Sequence, residues 1–381
     1  MPAEMPDRAS IELQAAMDRR FMAAAIRLSR RHLGLTGENP SVGALIVRPN
    51  EGGEALIVGR GVTALGGRPH AELQALNEAG PAARGAVAYA TLEPCSHIGK
   101  APPCADALVE AGVSRVVVAT LDPDIRVAGR GVSILKKAGV DVTVGCLEAD
   151  ARRAMAGFLS LKARGRPFLT LKMAVSADGS IGRKGAGQVG ITGEIARRMV
   201  QMMRIEHEAV MVGVETVVED DPLLTVRLDG LEQRAPTRIV IDPFARTPPS
   251  ARLFDRPGTA RVLVLASEKA PRRSVEMLRE KGATVHLLAS DYRGRFDPRE
   301  IQRSLGIMGL KTVLLEGGAE TARRFLEAGM VDRIALFCGS TIVGEGGIAA
   351  PLGENVLQEG FEKIGESRFV DDRLIEFERS E

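Results

Sequence analysis

Between Pro69 and Cys104 the chain carries Pro69-His70-Ala71-Glu72, then Thr91-Leu92-Glu93-Pro94-Cys95-Ser96-His97, then Pro102-Pro103-Cys104. If one ion is to take the imidazole and both thiols, three separate segments must meet at a point. Ala71 to Ala79 reads as a helix stopped by Gly80, Ala86 to Leu92 as a strand, and Ala105 to Glu110 as a second helix. His70 therefore opens a helix, Cys95 follows a strand, and Cys104 opens the next helix, where unpaired N–H groups and the dipole favour a thiolate. One His and two Cys leave the fourth tetrahedral position of a zinc ion open to water, and a non-ligand Glu such as Glu72 can move protons. Bound zinc brings the pKa of that water towards neutrality, giving a hydroxide able to attack an amidine-like ring carbon. His97 reads as a loop or substrate contact, because a fourth protein ligand would close the site to water.

The rest of the chain supplies the scaffold. Gln14 to Gly34 has a helical stripe at Met17, Phe21, Ala24, Ala25 and Leu28. Ala44–Val47 and Ala55–Val58, separated by the polar turn Asn50-Glu51-Gly52-Gly53, suggest a hairpin. With strands at Ser114–Thr120 and Val140–Val144, the order α-β-β-α-β-α-β-α-β implies a sheet covered by helices. Residues 151–166 form a basic, partly helical connector, whose arginines read as a solvated face. Beyond it, β-branched runs at Phe168–Ser176, Ala209–Val217, Arg238–Asp242, Arg261–Ala266, Thr284–Leu288, Lys311–Leu315 and Arg333–Phe337 recur. Amphipathic segments at Ile195–Ile205, Arg272–Lys281, Pro298–Met308 and Thr321–Ala328 separate most of them. That alternation predicts a mostly parallel α/β sheet with ligands beyond the carboxyl ends of its strands. Leu315-Glu316-Gly317-Gly318-Ala319-Glu320-Thr321 follows a strand and opens a helix, a turn that can hold a phosphate, although no G-x-G-x-x-G stands after a strand.

With 381 residues the natural division is two domains: 1–150, a connector over 151–166, and 167–381. The formal net charge of +2, from 51 basic and 49 acidic residues, lacks the footprint of a dedicated nucleic-acid binder. The low aromatic content also argues against a base-stacking platform. No apolar run approaches the ~20 residues of a membrane span, and the N-terminus shows no apolar signal region. Four Cys are too few for a disulfide scaffold in a chain of this size; Cys146 and Cys338 read as filler. The expectation is a soluble, cytoplasmic protein.

The usual zinc deaminase signature has C-x-x-C, whereas eight residues separate Cys95 from Cys104. With that long step, Thr91–His97, Gly99-Lys100 and Pro102-Pro103-Cys104, together with Asn39-Pro40, Val42-Gly43, Asp122-Pro123, Val127 and Gly129-Arg130-Gly131, resemble the deaminase half of the bifunctional riboflavin-biosynthesis deaminase/reductases. Pro167-Phe168, Thr170–Ala174, Ser176, Asp178-Gly179, Ile191-Thr192-Gly193, Val212-Gly213, Thr216-Val217, Asp220-Asp221-Pro222, Leu224–Arg227 and Glu316-Gly317-Gly318 are similar to the reductase half of the same family. The resemblance implies a cytidine-deaminase-like α/β/α domain followed by a dihydrofolate-reductase-like α/β domain that uses NADPH. It implies that His70, Cys95 and Cys104 bind Zn2+ and that Glu72 shuttles protons, with Asn39 on the pyrimidine and Lys100 near the substrate phosphate. In the second domain Ala174, Thr216, Asp220, Gly318, Ala319, Glu320 and Thr321 would contact NADPH. Arg204, Leu224, Arg227 and Glu316 would hold the phosphate of the ribosylaminouracil. Arg204 and Arg227 suit that task chemically, because a guanidinium fork matches a phosphate dianion. The partners implied are small pyrimidine ribose phosphates, neither nucleic acid nor membrane, and further copies of the chain as a dimer or tetramer. Departures from the family pattern stand at Thr63, Ile98 and Ala101 in the first half, and at Gln188, Gly190 and Pro243 in the second.

The function expected is hydrolytic deamination of a diaminopyrimidinone ribosylamino phosphate, then reduction of the ribosyl group of the aminouracil product to ribityl. Two rivals remain at this point: a zinc nucleoside or nucleic-acid deaminase with an inactive or repurposed second domain, and a non-catalytic protein stapled by zinc. The second leaves Glu72 without a purpose. Neither Lys172 nor Asp178, neighbours in one motif, can be chosen from sequence as the proton source of the reduction.

Overall fold

Alternating β-branched and amphipathic segments build two sheets, each with its own core. The computed structural model describes residues 7–49, 55–96, 102–124, 128–255, 260–352 and 360–380. The chain divides into two compact units, residues 1–164 and 165–381.

The first unit runs α1 (Arg8–Ser29), β1 (Gly43–Pro49), β2 (Ala55–Val62), α2 (Ala71–Ala79), β3 (Val87–Ala90), α3 (Cys104–Glu110), β4 (Arg115–Val118), α4 (Arg130–Lys137), β5 (Asp141–Val144), α5 (Glu148–Ala154) and α6 (Ala156–Arg164). Its sheet has the order β2-β1-β3-β4-β5, antiparallel at β2-β1-β3 and parallel from β3 to β5. The Asp7 carboxylate caps α1 by accepting from the Ser10 N–H at 2.8 Å. Phe21, Met22, Ala25 and Ile26 of α1 are buried. Asp18 is buried too, but it is fully paired: it accepts from Tyr89 Oη at 2.9 Å and from both Nη atoms of Arg115 at 2.9 and 2.7 Å. Such complete pairing is what a buried charge requires. The segment read from sequence as a partly helical connector, 151–166, holds the end of α5 and all of α6, and Ala151, Ala154, Met155 and Leu159 belong to the first core rather than to a linker.

The second unit runs β6 (Phe168–Val175), β7 (Ser180–Arg183), α7 (Glu194–Glu206), β8 (Ala209–Gly213), α8 (Val214–Asp220), β9 (Thr237–Ile241), β10 (Val262–Ser267), α9 (Arg272–Glu280), β11 (Ala283–Leu288), α10 (Pro298–Ile307), β12 (Thr312–Leu315), α11 (Ala319–Glu327), β13 (Arg333–Cys338), β14 (Gly347–Ala349), β15 (Phe361–Phe369) and β16 (Asp372–Arg379). The nine-stranded sheet has the order β11-β10-β9-β8-β12-β6-β13-β16-β15. Its seven strands from β11 to β13 are parallel, and the last two pair antiparallel. The α/β class and the mostly parallel second sheet are as the sequence implies. One run differs: Ala209–Val217 is not a single strand. Pairing with β9 stops at Gly213, which caps α8 in an extended conformation, and Glu215 in the first turn suits the helix dipole. Among the described residues no helix is long and apolar enough to cross a membrane.

Candidate functional site

Strand β2 sets the position of the first site. A Cβ at Gly61 would lie 1.8 Å from the carbonyl oxygen of Ala71, and one at Gly59 2.1 Å from that of Ala75. Only glycine lets α2 lie this close to the strand. His70 is the extended N-cap of α2, and Glu72 sits buried in its first turn. The opposing loop is held by Glu93, whose carboxylate accepts from the backbone N–H groups of Gly129 at 2.9 Å and of Asp122 and Val132 at 3.2 Å. Glu93, quoted from sequence only as part of a motif, is thus the brace that fixes Cys95.

These supports bring His70, Cys95 and Cys104 together, with one ligand atom of each within 4.8 Å of the others. Nδ1 of His70 lies 3.6 Å from Cys95 Sγ and 3.4 Å from Cys104 Sγ, and the Cys104 N–H points at Cys95 Sγ at 3.3 Å. A tetrahedral zinc ion with Zn–S of about 2.3 Å and Zn–N of about 2.0 Å has N···S edges of about 3.5 Å, so the donor set fits zinc through Nδ1. The Cys104 hydrogen bond, with His70 close by, holds the Cys95 thiol down to about 4, which makes it a thiolate. The hydrogen bond that Cys104 gives to Cys95, with burial and the Glu72 and Cys95 charges adding to it, pushes the Cys104 thiol up. A dication would reverse that second shift, since metal binding requires both thiolates. Hydrogen bonding to Cys95 raises the His70 imidazole despite its burial. Burial, with the Cys95 charge adding to it, raises the Glu72 carboxyl to about 7.

A cavity of about 250 Å³ opens beside this cluster, lined among others by Asn39, Glu72, Asp122, Phe158 and Lys162. Asn39 is fixed there by donating from Nδ2 to the Gly67 carbonyl at 3.1 Å. Thr63 is buried, and its hydroxyl oxygen accepts from the Val42 N–H at 2.9 Å. Lys100, His97, Ile98 and Ala101 lie outside the described residues.

In the second unit β8 and β12 are neighbours whose connections part: α8 leads to β9 on one side, α11 to β13 on the other. That is a topological switch point, where a crevice forms beyond the carboxyl ends of the strands. A Cβ at Gly213 would meet Thr321 Oγ1 at 2.7 Å, and one at Gly318 would lie 3.9 Å from Thr216 Oγ1. The sequence residues Thr216, Gly318, Ala319 and Thr321 therefore converge at the adjoining starts of α8 and α11. Glu320 is exposed and paired with Arg323, and Asp220 ends α8, its carboxyl raised by burial. Ala174 lies on β6 opposite Phe337. Gln188 and Gly190 are exposed, and Pro243 follows the end of β9.

A charged cluster stands near the same strand ends. Arg204 donates from Nε and Nη2 to the two carboxylate oxygens of Glu316 at 2.7 and 3.0 Å, and from Nη1 to the Thr225 carbonyl at 2.9 Å. Its fork therefore serves Glu316 and Thr225. Arg227 is exposed, its backbone N–H donates to Gln201 Oε1 at 3.0 Å, and its guanidinium makes no ion pair among the described residues. Leu224, earlier on the same loop, is buried at φ +51°. Burial alone would raise the Glu316 carboxyl; the charges of Arg204 and Lys172 bring it below its ordinary value. Burial lowers the Lys172 ammonium. Asp178 accepts from Ser176 Oγ and from the N–H groups of Val343 and Gly344, which hold its carboxyl at about 2. It is a loop latch that stays ionised.

Comparison with known proteins decides the family. The model of the RibD C-terminal domain matches residues 167–368, and that of the cytidine and deoxycytidylate deaminase zinc-binding region matches residues 15–120. Over 365 residues the chain is 37% identical to the riboflavin biosynthesis protein RibD of Aquifex aeolicus, covering 95% of this chain and 99% of that one. The chain belongs to the RibD family. The RibD of Escherichia coli is 38% identical over 339 residues, 86% of this chain and 89% of that one. The Acinetobacter baumannii RibD structure (form 1) superposes with a TM-score of 0.80 at 34% identity, covering 96% of this chain and 100% of that one. The diaminohydroxyphosphoribosylaminopyrimidine deaminase/5-amino-6-(5-phosphoribosylamino)uracil reductase of Thermotoga maritima superposes with 0.81 at 31%, with the same coverage. The first unit is a zinc-binding deaminase domain and the second a RibD-type reductase domain.

Proposed function

We propose that the first site hydrolyses the exocyclic amine of a diaminopyrimidinone ribosylamino phosphate and that the second reduces the resulting ribosylaminouracil phosphate to its ribityl form with NADPH. The observation that carries this reading is the buried Glu72 carboxyl beside a three-ligand cluster with one position left for water. Zinc held there supplies a water acidic enough to ionise near neutrality. Glu72, buried in the first turn of α2 next to the ligand His70, is placed to take a proton from the attacking water and to give it up again, as general acid–base catalysis needs. It passes that first proton to the ring nitrogen as the C–O bond forms, then carries a second proton from the added hydroxyl to the amine, so that the C–N bond breaks, the ring carbon becomes a carbonyl and ammonia leaves. Asn39, pinned by Gly67, orients the pyrimidine edge.

In the second site the starts of α8 and α11 hold the phosphates of NADPH, the cofactor that supplies hydride. Arg227 meets the substrate phosphate, while the Arg204–Glu316 pair forms the floor that positions it. Of the two candidates in one sequence motif, Asp178 stays anionic, so Lys172 is the group here that can pass the proton accompanying reduction. The assembly is proposed to be a dimer or tetramer in the cytoplasm, which light scattering on the purified chain and fractionation test. A substrate panel tests the chemistry: ammonia is measured from the ribosylamino phosphate, from cytidine and from tRNA. Turnover confined to the first supports the reading; turnover of cytidine or tRNA with none on the phosphate overturns it.

A further inference from the structure

The cavity beside the metal cluster has one wall that the metal motif does not account for. It comes from α6, anchored in the first core by Leu159, with Met155 buried just before it. Phe158 and Lys162, one turn apart and so on the same face, both line the cavity. Lys162 Nζ stands 5.9 Å from the centre of the Phe158 ring, within the range of a cation–π contact. It makes no ion pair among the described residues. Glu38, Asp122 and Asp124 also line the space, so an anionic ligand entering it must meet a cation.

Two described cations line the cavity, Arg68 and Lys162. Arg68 is two residues from His70 and its charge acts on that imidazole, which puts it at the metal end. The Thr63 hydroxyl, which accepts from the Val42 N–H, carries no charge to set against a phosphate dianion. Lys162 stands on the wall shared with Asp122, whose carboxyl feels its charge. In a ribosylamino phosphate the sugar separates the phosphate from the reacting ring carbon, so the phosphate belongs on a wall away from the metal.

We propose that Lys162 holds the substrate phosphate in the deaminase cavity, with its ammonium steadied over the Phe158 ring. This rests on the reading of the first site as the deaminase of a phosphorylated pyrimidine. An ammonium–phosphate contact is charge-assisted and gains further strength where the walls exclude water. The stretch that looks like a connector in sequence thereby becomes part of the substrate site.

Ammonia release from the ribosylamino phosphate and from its dephosphorylated counterpart is measured for the zinc-loaded wild type, Lys162→Ala and Lys162→Arg. Lys162→Ala should raise KM for the phosphorylated substrate at least tenfold, keep kcat within twofold and leave the dephosphorylated substrate unaffected, and Lys162→Arg should restore most of the loss. Inorganic phosphate, titrated by calorimetry, should bind the alanine variant at least tenfold more weakly. An unchanged KM, or an equal loss on both substrates, overturns the proposal. If the wild type releases no ammonia from either compound, it is the deaminase reading that fails, and calorimetry with inorganic phosphate then decides the fate of Lys162.

Discussion

Replacing Gly61 with alanine asks how tightly the zinc cluster depends on strand β2. The new Cβ would sit 1.8 Å from the Ala71 carbonyl oxygen and 2.8 Å from the Ala75 nitrogen, both backbone atoms that no rotamer change can move. Restoring an ordinary contact of about 3.4 Å requires α2 and β2 to part by about 1.6 Å. Ala71 lies between His70 and Glu72, so the displacement reaches a ligand and the proton carrier directly. A misplacement of about 1 Å in a reacting geometry costs roughly 100-fold. Deamination kcat/KM should therefore fall at least about 100-fold, or about 2.7 kcal/mol in activation free energy, while overpacking lowers stability by about 1–3 kcal/mol. Ammonia release, NADPH oxidation and zinc content are measured on one preparation. Reduction should stay within twofold, since the second unit has its own core. Full zinc with deamination within threefold of wild type would refute the claim that this glycine contact places the site.

The remaining expectations concern single side chains. Glu72→Gln should keep stoichiometric zinc and full reduction while abolishing ammonia release; lost metal or persistent deamination would remove Glu72 from its role. Arg227→Ala should raise the reductase KM at least tenfold with deamination unchanged, and an unaltered KM would take Arg227 out of the substrate site. Burial lowers the His207 imidazole to about 4 from an ordinary 6.5. The unfolded chain therefore takes up this proton first as the pH falls. The stability it contributes is present above pH 6.5 and lost between about 6.5 and 4, by at most about 3 kcal/mol. Urea midpoints followed by hydrogen exchange in β6 and β8 should show that loss in wild type and a flatter pH profile in His207→Gln; parallel profiles would refute it.

The metal cluster was legible because each ligand sits at an element boundary with a local signal: Gly80 closes α2, the β-branched run ends before Pro94, and Pro103 precedes α3. The parallel sheet was legible because each buried strand is a β-branched run. What escaped the sequence depended on long-range pairing. Arg204 and Glu316 are separated by 112 residues, and each alone reads as a phosphate contact or a surface ion pair. The hairpin β15–β16 is rich in charge and mostly half-buried or exposed, so it lacks an apolar pattern that marks a strand. Val214 to Val217 looks like strand because two valines are β-branched, yet Gly213 ends the pairing and the helix follows. Phe158 and Lys162 were hidden in a basic segment whose apolar face shows only once Leu159 is seen in the core.

Two reactions in succession on one chain are tested most directly in a single assay on purified protein with the diaminopyrimidinone ribosylamino phosphate. Ammonia is followed first without NADPH, and nicotinamide oxidation after NADPH is added. The account requires ammonia in the absence of cofactor, then one NADPH oxidised for each ammonia already released. NADPH oxidation before any ammonia appears, or ammonia with no oxidation to follow, would contradict it.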